Sequence, residues 1–128
     1  MSVKDVKLKP IPVDLGGKKR TIFYDWNAFA ELEEKYESLD IMFERLKKPT
    51  MKDLQVLLWA GLLHTFDDPQ DGIYMEGEKP FTPRYVGKLM HGISDMSKLN
   101  IAIFSAISDA MPKPGESQAV AETAKKND

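Results

Sequence analysis

No cysteine occurs among the 128 residues, which removes disulfides, thiolate zinc sites and a cysteine nucleophile, and suits a reducing compartment. Histidine is scarce too. His64 and His91 stand alone, each near the end of an expected helix, where a partly exposed imidazole suits the C-terminal carbonyls. Neither GxSxG nor HExxH is present, and Gly16-Gly17-Lys18 lacks the upstream glycine and the following Ser or Thr of a phosphate loop. No apolar run approaches the roughly 20 residues that span a bilayer. The opening MSVKDVKLKP has no apolar core of a signal peptide. The expected location is therefore the cytoplasm. Positive charge is not in surplus either: 18 basic side chains face 20 acidic ones, for a net charge of −2. A phosphate backbone would have to be held by a local patch. No internal repeat is visible.

What is there is an ordinary soluble composition, 42% apolar and 30% charged, in a chain long enough for one real core. The stretch TMKDLQVLLWAGLLH, residues 50–64, is the strongest signal. Leu54, Leu57, Leu58, Gly61 and Leu62 fall on one helical face, and Val56, Trp59, Ala60 and Leu63 cover most of the rest. A helix apolar nearly all round is surrounded by protein, so a helix over 50–66 is expected at the centre. Thr50 with Asp53 makes a capping box with a short acid. Gly61 gives up roughly 1 kcal/mol of helix propensity against Ala, and in exchange lets another element approach closely.

The remaining elements follow in order. Residues 3–24 read as a β-hairpin turning at Gly16-Gly17, with Pro10 and Pro12 marking an edge strand. Lys4, Lys7, Lys9, Lys18, Lys19 and Arg20 make this end basic. The plain reading is charge that keeps an exposed edge soluble, and a nucleic-acid patch is the alternative. Asp25 caps a helix over 26–36 whose pattern is set by Trp26, Phe29, Ala30, Leu32 and Glu33. Its glutamates read as a solvated face. Ser38 caps a second helix carrying Leu39, Met42, Phe43 and Leu46, stopped by Pro49. Thr82-Pro83 starts a fourth, with Val86, Leu89 and Met90 inward and Gly92 at its end. A last helix over 95–111 bears Leu99, Ala102, Ile103, Ala106, Ile107 and Ala110, widened by Ile101, Phe104 and Met111, and should be heavily buried. Helices four and five joined by HGIS would form a helix-turn-helix, but the second is too apolar to lie against DNA. Residues 112–128 carry Val120 as their one large apolar side chain and read as a disordered tail.

Residues 67–81, DDPQDGIYMEGEKPF, form a long non-periodic segment. In EF-hand register Asp67, Asp71, Gly72 and Glu78 take positions one, five, six and twelve. Pro69 occupies position three, however, and Gly77, Pro80 and Pro83 leave no exiting helix, so no metal is expected. No cofactor is expected either. Ile73, Tyr74, Met75 and Phe81 in this segment either fold back on the core or wait for a partner. The fold expected is α+β, mostly α: an N-terminal β-hairpin (3–24) and about five helices packed around the central one. One globular domain over 1–111 is followed by the tail.

Four motifs in this order, GGKKRTIFYD, WNAFAELEEKY, LQVLLWAGLLH and TPRYVGKLM, resemble the small tail assembly chaperones of long-tailed bacteriophages and related gene-transfer particles. The resemblance covers residues 11 to about 111. It implies a non-enzymatic protein of the host cytoplasm that binds the long helical tape measure protein, keeps it soluble and recruits tail tube subunits. It also implies absence from the mature virion. In many phages a ribosomal frameshift yields a longer form, so such a form of this chain is a further implied partner, and residues 112–128 fit a junction of that kind. The segment DGIYMEGEKPF departs from the family pattern, which has a shorter connection there. The family brings no catalytic residues. The partner-binding candidates read from exposure expectations are Met42, Phe43, Ile73, Tyr74, Met75 and Phe81. The competing classes are a small nucleic-acid-binding module, which the charge balance disfavours, and another structural phage protein such as a head–tail connector. A membrane partner is not expected.

Overall fold

The computed structural model describes residues 10–91 and 96–111. Strands β1 (Ile11–Leu15) and β2 (Lys18–Ile22) form an antiparallel hairpin. Helices α1 (Trp26–Tyr36), α2 (Leu39–Lys47) and α3 (Met51–Leu62) follow, and a 3₁₀ turn over Leu63–Thr65 extends α3. A two-residue pair, β3 (Met75–Glu76) and β4 (Lys79–Pro80), precedes α4 (Pro83–Leu89) and α5 (Met96–Ala110). The fold is α+β and mostly α, as its periodicities require. The N-terminal residues 3–9 and the tail 112–128 assigned from sequence lie outside the described residues.

The hairpin register pairs Ile11 with Ile22, Val13 with Arg20 and Leu15 with Lys18. Ile11, Val13 and Leu15 turn inward, while Pro12 and Asp14 face out, so the proline sits where its missing N–H costs least. Gly16 and Gly17 have φ of 62° and 73°, the left-handed pair that a two-residue hairpin turn demands.

Helix α3 is the centre, touching β2, α1, α4 and α5. Its capping box forms: Asp53 N–H donates to Thr50 Oγ1 at 3.1 Å, and Thr50 N–H donates to Asp53 Oδ2 at 2.8 Å. From Leu57 to Leu63 every side chain is buried. Gly61 is where the hairpin docks. A Cβ there would sit 2.7 Å from Ile22 Cγ2 and 2.8 Å from Tyr24 Cζ, and Phe23 N–H donates to the Gly61 carbonyl at 2.8 Å. Tyr24 completes the seam by donating its buried hydroxyl to the Leu57 carbonyl. The glycine thus lets strand and helix meet backbone to backbone.

Several expectations are decided or corrected. Of the two readings given for the apolar residues of 67–81, Tyr74 and Phe81 take the first and fold back on the core, and Phe81 N–H donates to the Tyr74 carbonyl at 2.7 Å across the β3–β4 pair. Trp59 Nε1–H donates to the Phe81 carbonyl at 2.9 Å, and Phe81 stacks on Phe66 with ring centroids 4.3 Å apart. Helix α4 ends at Leu89, short of Gly92, which lies outside the described residues. Helix α5 is buried on one side only. Leu99, Ile103, Ala106 and Ile107 face the core, whereas Ile101 is 67% and Phe104 56% exposed. With the hairpin and α3 on one side, nothing among the described residues covers the other.

Candidate functional site

Helix α1 carries two stripes, and the sequence reading merged them. Ala28 and Leu32 face the core. Trp26, Phe29, Ala30 and Glu33, spaced i, i+3, i+4 and i+7, line instead an open groove of about 770 Å³. Its other wall is Leu39 and Phe43 of α2. Ala110 and Met111 at the end of α5 close one side, and Phe23 and Tyr24 form the floor. Trp26 is 92% exposed. Its place follows from the chain: β2 ends at Ile22, Tyr24 is anchored on α3, and Asp25 caps α1 by accepting from Ala28 N–H at 2.8 Å. The cap puts Trp26 at the first helical position, pointing away from α3.

The groove is nearly all hydrocarbon and aromatic. Among the described residues Asp25 and Glu33 are its only charged lining residues, and both are acidic. The floor hydroxyl of Tyr24 is held protonated, because burial, and then the neighbouring Tyr36, push it far above the usual phenol range. It is committed to the Leu57 carbonyl and offers nothing to a reaction. A concave apolar surface of this size is a binding surface by its chemistry.

Of the partner-binding candidates, the groove contains Phe43 alone. Met42 is fully buried beneath it, one residue round the helix, and Tyr74 and Phe81 are core. Those three are corrected: each meets the protein's own interior because α2 turns Met42 inward and the β3–β4 segment folds back. Ile73 and Met75 are 48% and 41% exposed, outside the groove. Trp26, Phe29, Leu39 and Met111 were missed as groove residues. The signal available was Glu33, a charge closing an otherwise apolar i, i+3, i+4 set, which a core face does not tolerate.

Two lesser clefts lie outside this groove. One, about 280 Å³, is lined by Lys18, Lys19, Arg20, Thr21, Thr65, Phe66 and Glu76. Its central cation is occupied: Arg20 donates to both Glu76 oxygens at 2.8 and 3.2 Å, and Tyr85 adds a third bond to Glu76 at 3.1 Å. The Arg20 hydrogen bond first, then the guanidinium charge, Tyr85 and Lys18, hold the Glu76 carboxyl below its usual range against a smaller burial effect. The other, about 440 Å³, lies between the hairpin turn and Leu89, Met90, His91, Lys98, Leu99 and Ala102. His64 is engaged, with Nε2 2.9 Å from the Thr21 carbonyl. Among the described residues no three His, Asp or Glu side chains converge on a metal-sized point. The HGIS turn of the helix-turn-helix alternative falls on residues 91–94, of which 92–94 lie outside the described ones.

No family model matches the chain, and neither a search of curated proteins nor one of solved structures finds a match.

Proposed function

We propose that the protein is a tail assembly chaperone of a long-tailed bacteriophage, a non-enzymatic protein that binds the tape measure protein and recruits tail tube subunits. It works in the host cytoplasm and is left out of the finished virion. A longer frameshifted form of the same chain is a further partner on this reading. The observation that carries it is the open apolar groove between α1, α2 and the end of α5. A chaperone for a long helical client has to cover apolar helix faces while the client waits to assemble, and an aromatic-walled groove between two helices suits that task. The ordered motifs of the sequence support the same assignment.

The test is co-expression with the tape measure protein of the same phage. The chaperone is expected to move that protein from the insoluble to the soluble fraction and to co-purify with it. Unchanged aggregation overturns the reading. Recovery of the chain from purified virions would move the assignment to a structural component such as a head–tail connector. The nucleic-acid alternative predicts a salt-sensitive gel shift at low ionic strength. Arg20 speaks against it, because Glu76 already neutralises it.

A further inference from the structure

We infer that the groove takes an amphipathic helix of a separate polypeptide, its apolar stripe flanked by lysine or arginine. The inference rests on the chaperone reading for the identity of the client, but its chemistry comes from the groove. The walls are side chains of two helices and the floor is a strand end already bonded to α3, with Phe23 N–H on the Gly61 carbonyl. An extended peptide would bring unpaired backbone N–H and C=O groups to walls that offer almost no partners. A helix satisfies its own backbone and presents only a stripe at i, i+3, i+4 and i+7. Leu39 and Phe43 on one wall, and Trp26, Phe29 and Ala30 on the other, are spaced to receive such a stripe.

Charge selects the flanks. Among the described residues Asp25 and Glu33 are the charged side chains that line the groove, and an approaching acidic helix would desolvate like charges together. A second copy of this chain fits poorly. Its exposed apolar stripe, Ile101 and Phe104 on α5, is accompanied by Lys98 and Asp109, which cancel. The chain's own residues 112–128 offer Val120 as their one large apolar side chain, too little to fill an aromatic groove.

Trp26 makes the test direct, since it stands exposed at the groove while the second tryptophan, Trp59, is buried. The full chain is titrated with two synthetic helices of about 20 residues, long enough to fold on docking. They share one leucine stripe, flanked by lysine in one and by glutamate in the other. The lysine peptide is expected to shift tryptophan emission to the blue and to bind about tenfold tighter than the glutamate peptide. The emission shift should vanish in Trp26→Phe while calorimetric binding persists. Glu33→Lys, an exposed change that leaves the core alone, should reverse the preference, and Ile101→Ser should leave it intact. Equal binding of the two peptides, binding of neither, or an equal loss in Ile101→Ser would each overturn the inference. So would a wild-type dimer that Glu33→Lys dissociates, since the occupant would then be a second copy. The two proposals fail separately. Preserved solubilisation of the tape measure protein by Glu33→Lys and Phe43→Ser would sink the groove and leave the chaperone. Selective peptide binding without solubilisation would do the reverse.

Discussion

At the scale of single residues, Gly61 and Leu58 make opposite tests of the centre. Propensity alone says Gly61→Ala should gain about 1 kcal/mol in a helix interior. The seam says otherwise, because the new methyl would press on Ile22 and Tyr24 at 2.7 and 2.8 Å. Tyr24 cannot yield cheaply while its hydroxyl is held by Leu57. Overpacking of that kind costs about 1–3 kcal/mol, which offsets the propensity gain, so no gain and a net loss of up to about 2 kcal/mol is expected in denaturant melts. A gain would mean the hairpin rides loosely on α3. Leu58→Ala removes a fully buried side chain and should cost about 2–5 kcal/mol. A loss well under 1 kcal/mol would misplace the centre.

At the scale of elements, what could be read from sequence was what one-dimensional chemistry determines. Asp25, Ser38, Thr50 and Thr82 each cap the helix expected of them, because a cap is a local bond between neighbours. Helices α1 and α2 and the paired glycines follow the same logic. The outward face of α5 and the double stripe of α1 could not be read that way: periodicity tells which side chains share a face, not whether another element arrives to cover it. The groove went unrecognised for that reason, since its walls come from α1, α2 and the far end of the chain. The β3–β4 segment is the sharpest case. Its order depends on Glu76 meeting Arg20, 56 residues earlier, at 2.8 Å. Glu76→Gln removes the charge from three of its contacts, so faster amide hydrogen exchange is expected over residues 74–81 with α3 protection unchanged. Stability should fall by about 1–2 kcal/mol, since the Arg20 side chain is largely buried and loses its counter-charge. Unaltered exchange in that segment would show that Trp59 and Phe66 alone hold it.

At the scale of the whole molecule, the same buried polar bonds set the pH range over which the fold holds. Burial raises the carboxyl of Asp53, but the Thr50 backbone N–H, the hydroxyls of Tyr36 and Thr50, and Arg45 together outweigh it and hold the group below the ordinary aspartate value. Glu76 is lowered as well. Between the folded and unfolded pKa values of such a group the unfolded chain binds more protons, so stability rises with pH across that window. The contribution is complete above the unfolded values, about pH 4–4.5, and is lost as pH falls through the folded ones. Tyrosine works in the other direction. Burial, ahead of any neighbour, raises Tyr24 and Tyr36. Their contribution is therefore full below the ordinary phenol value of about 10 and declines as pH climbs above it. Stability should form a plateau between these limits. Wild type and the Asp53→Asn/Glu76→Gln variant are to be compared by urea melts from about pH 2 to 7. The variant should be the weaker by about 2–4 kcal/mol at neutrality, where it lacks two charge-assisted networks. Below about pH 4 the two curves should converge, because protonation strips from the wild type what substitution has already removed from the variant. A constant gap across the acid range would show that these carboxylates act through shape and packing, and that acid unfolding of this protein is governed by other groups.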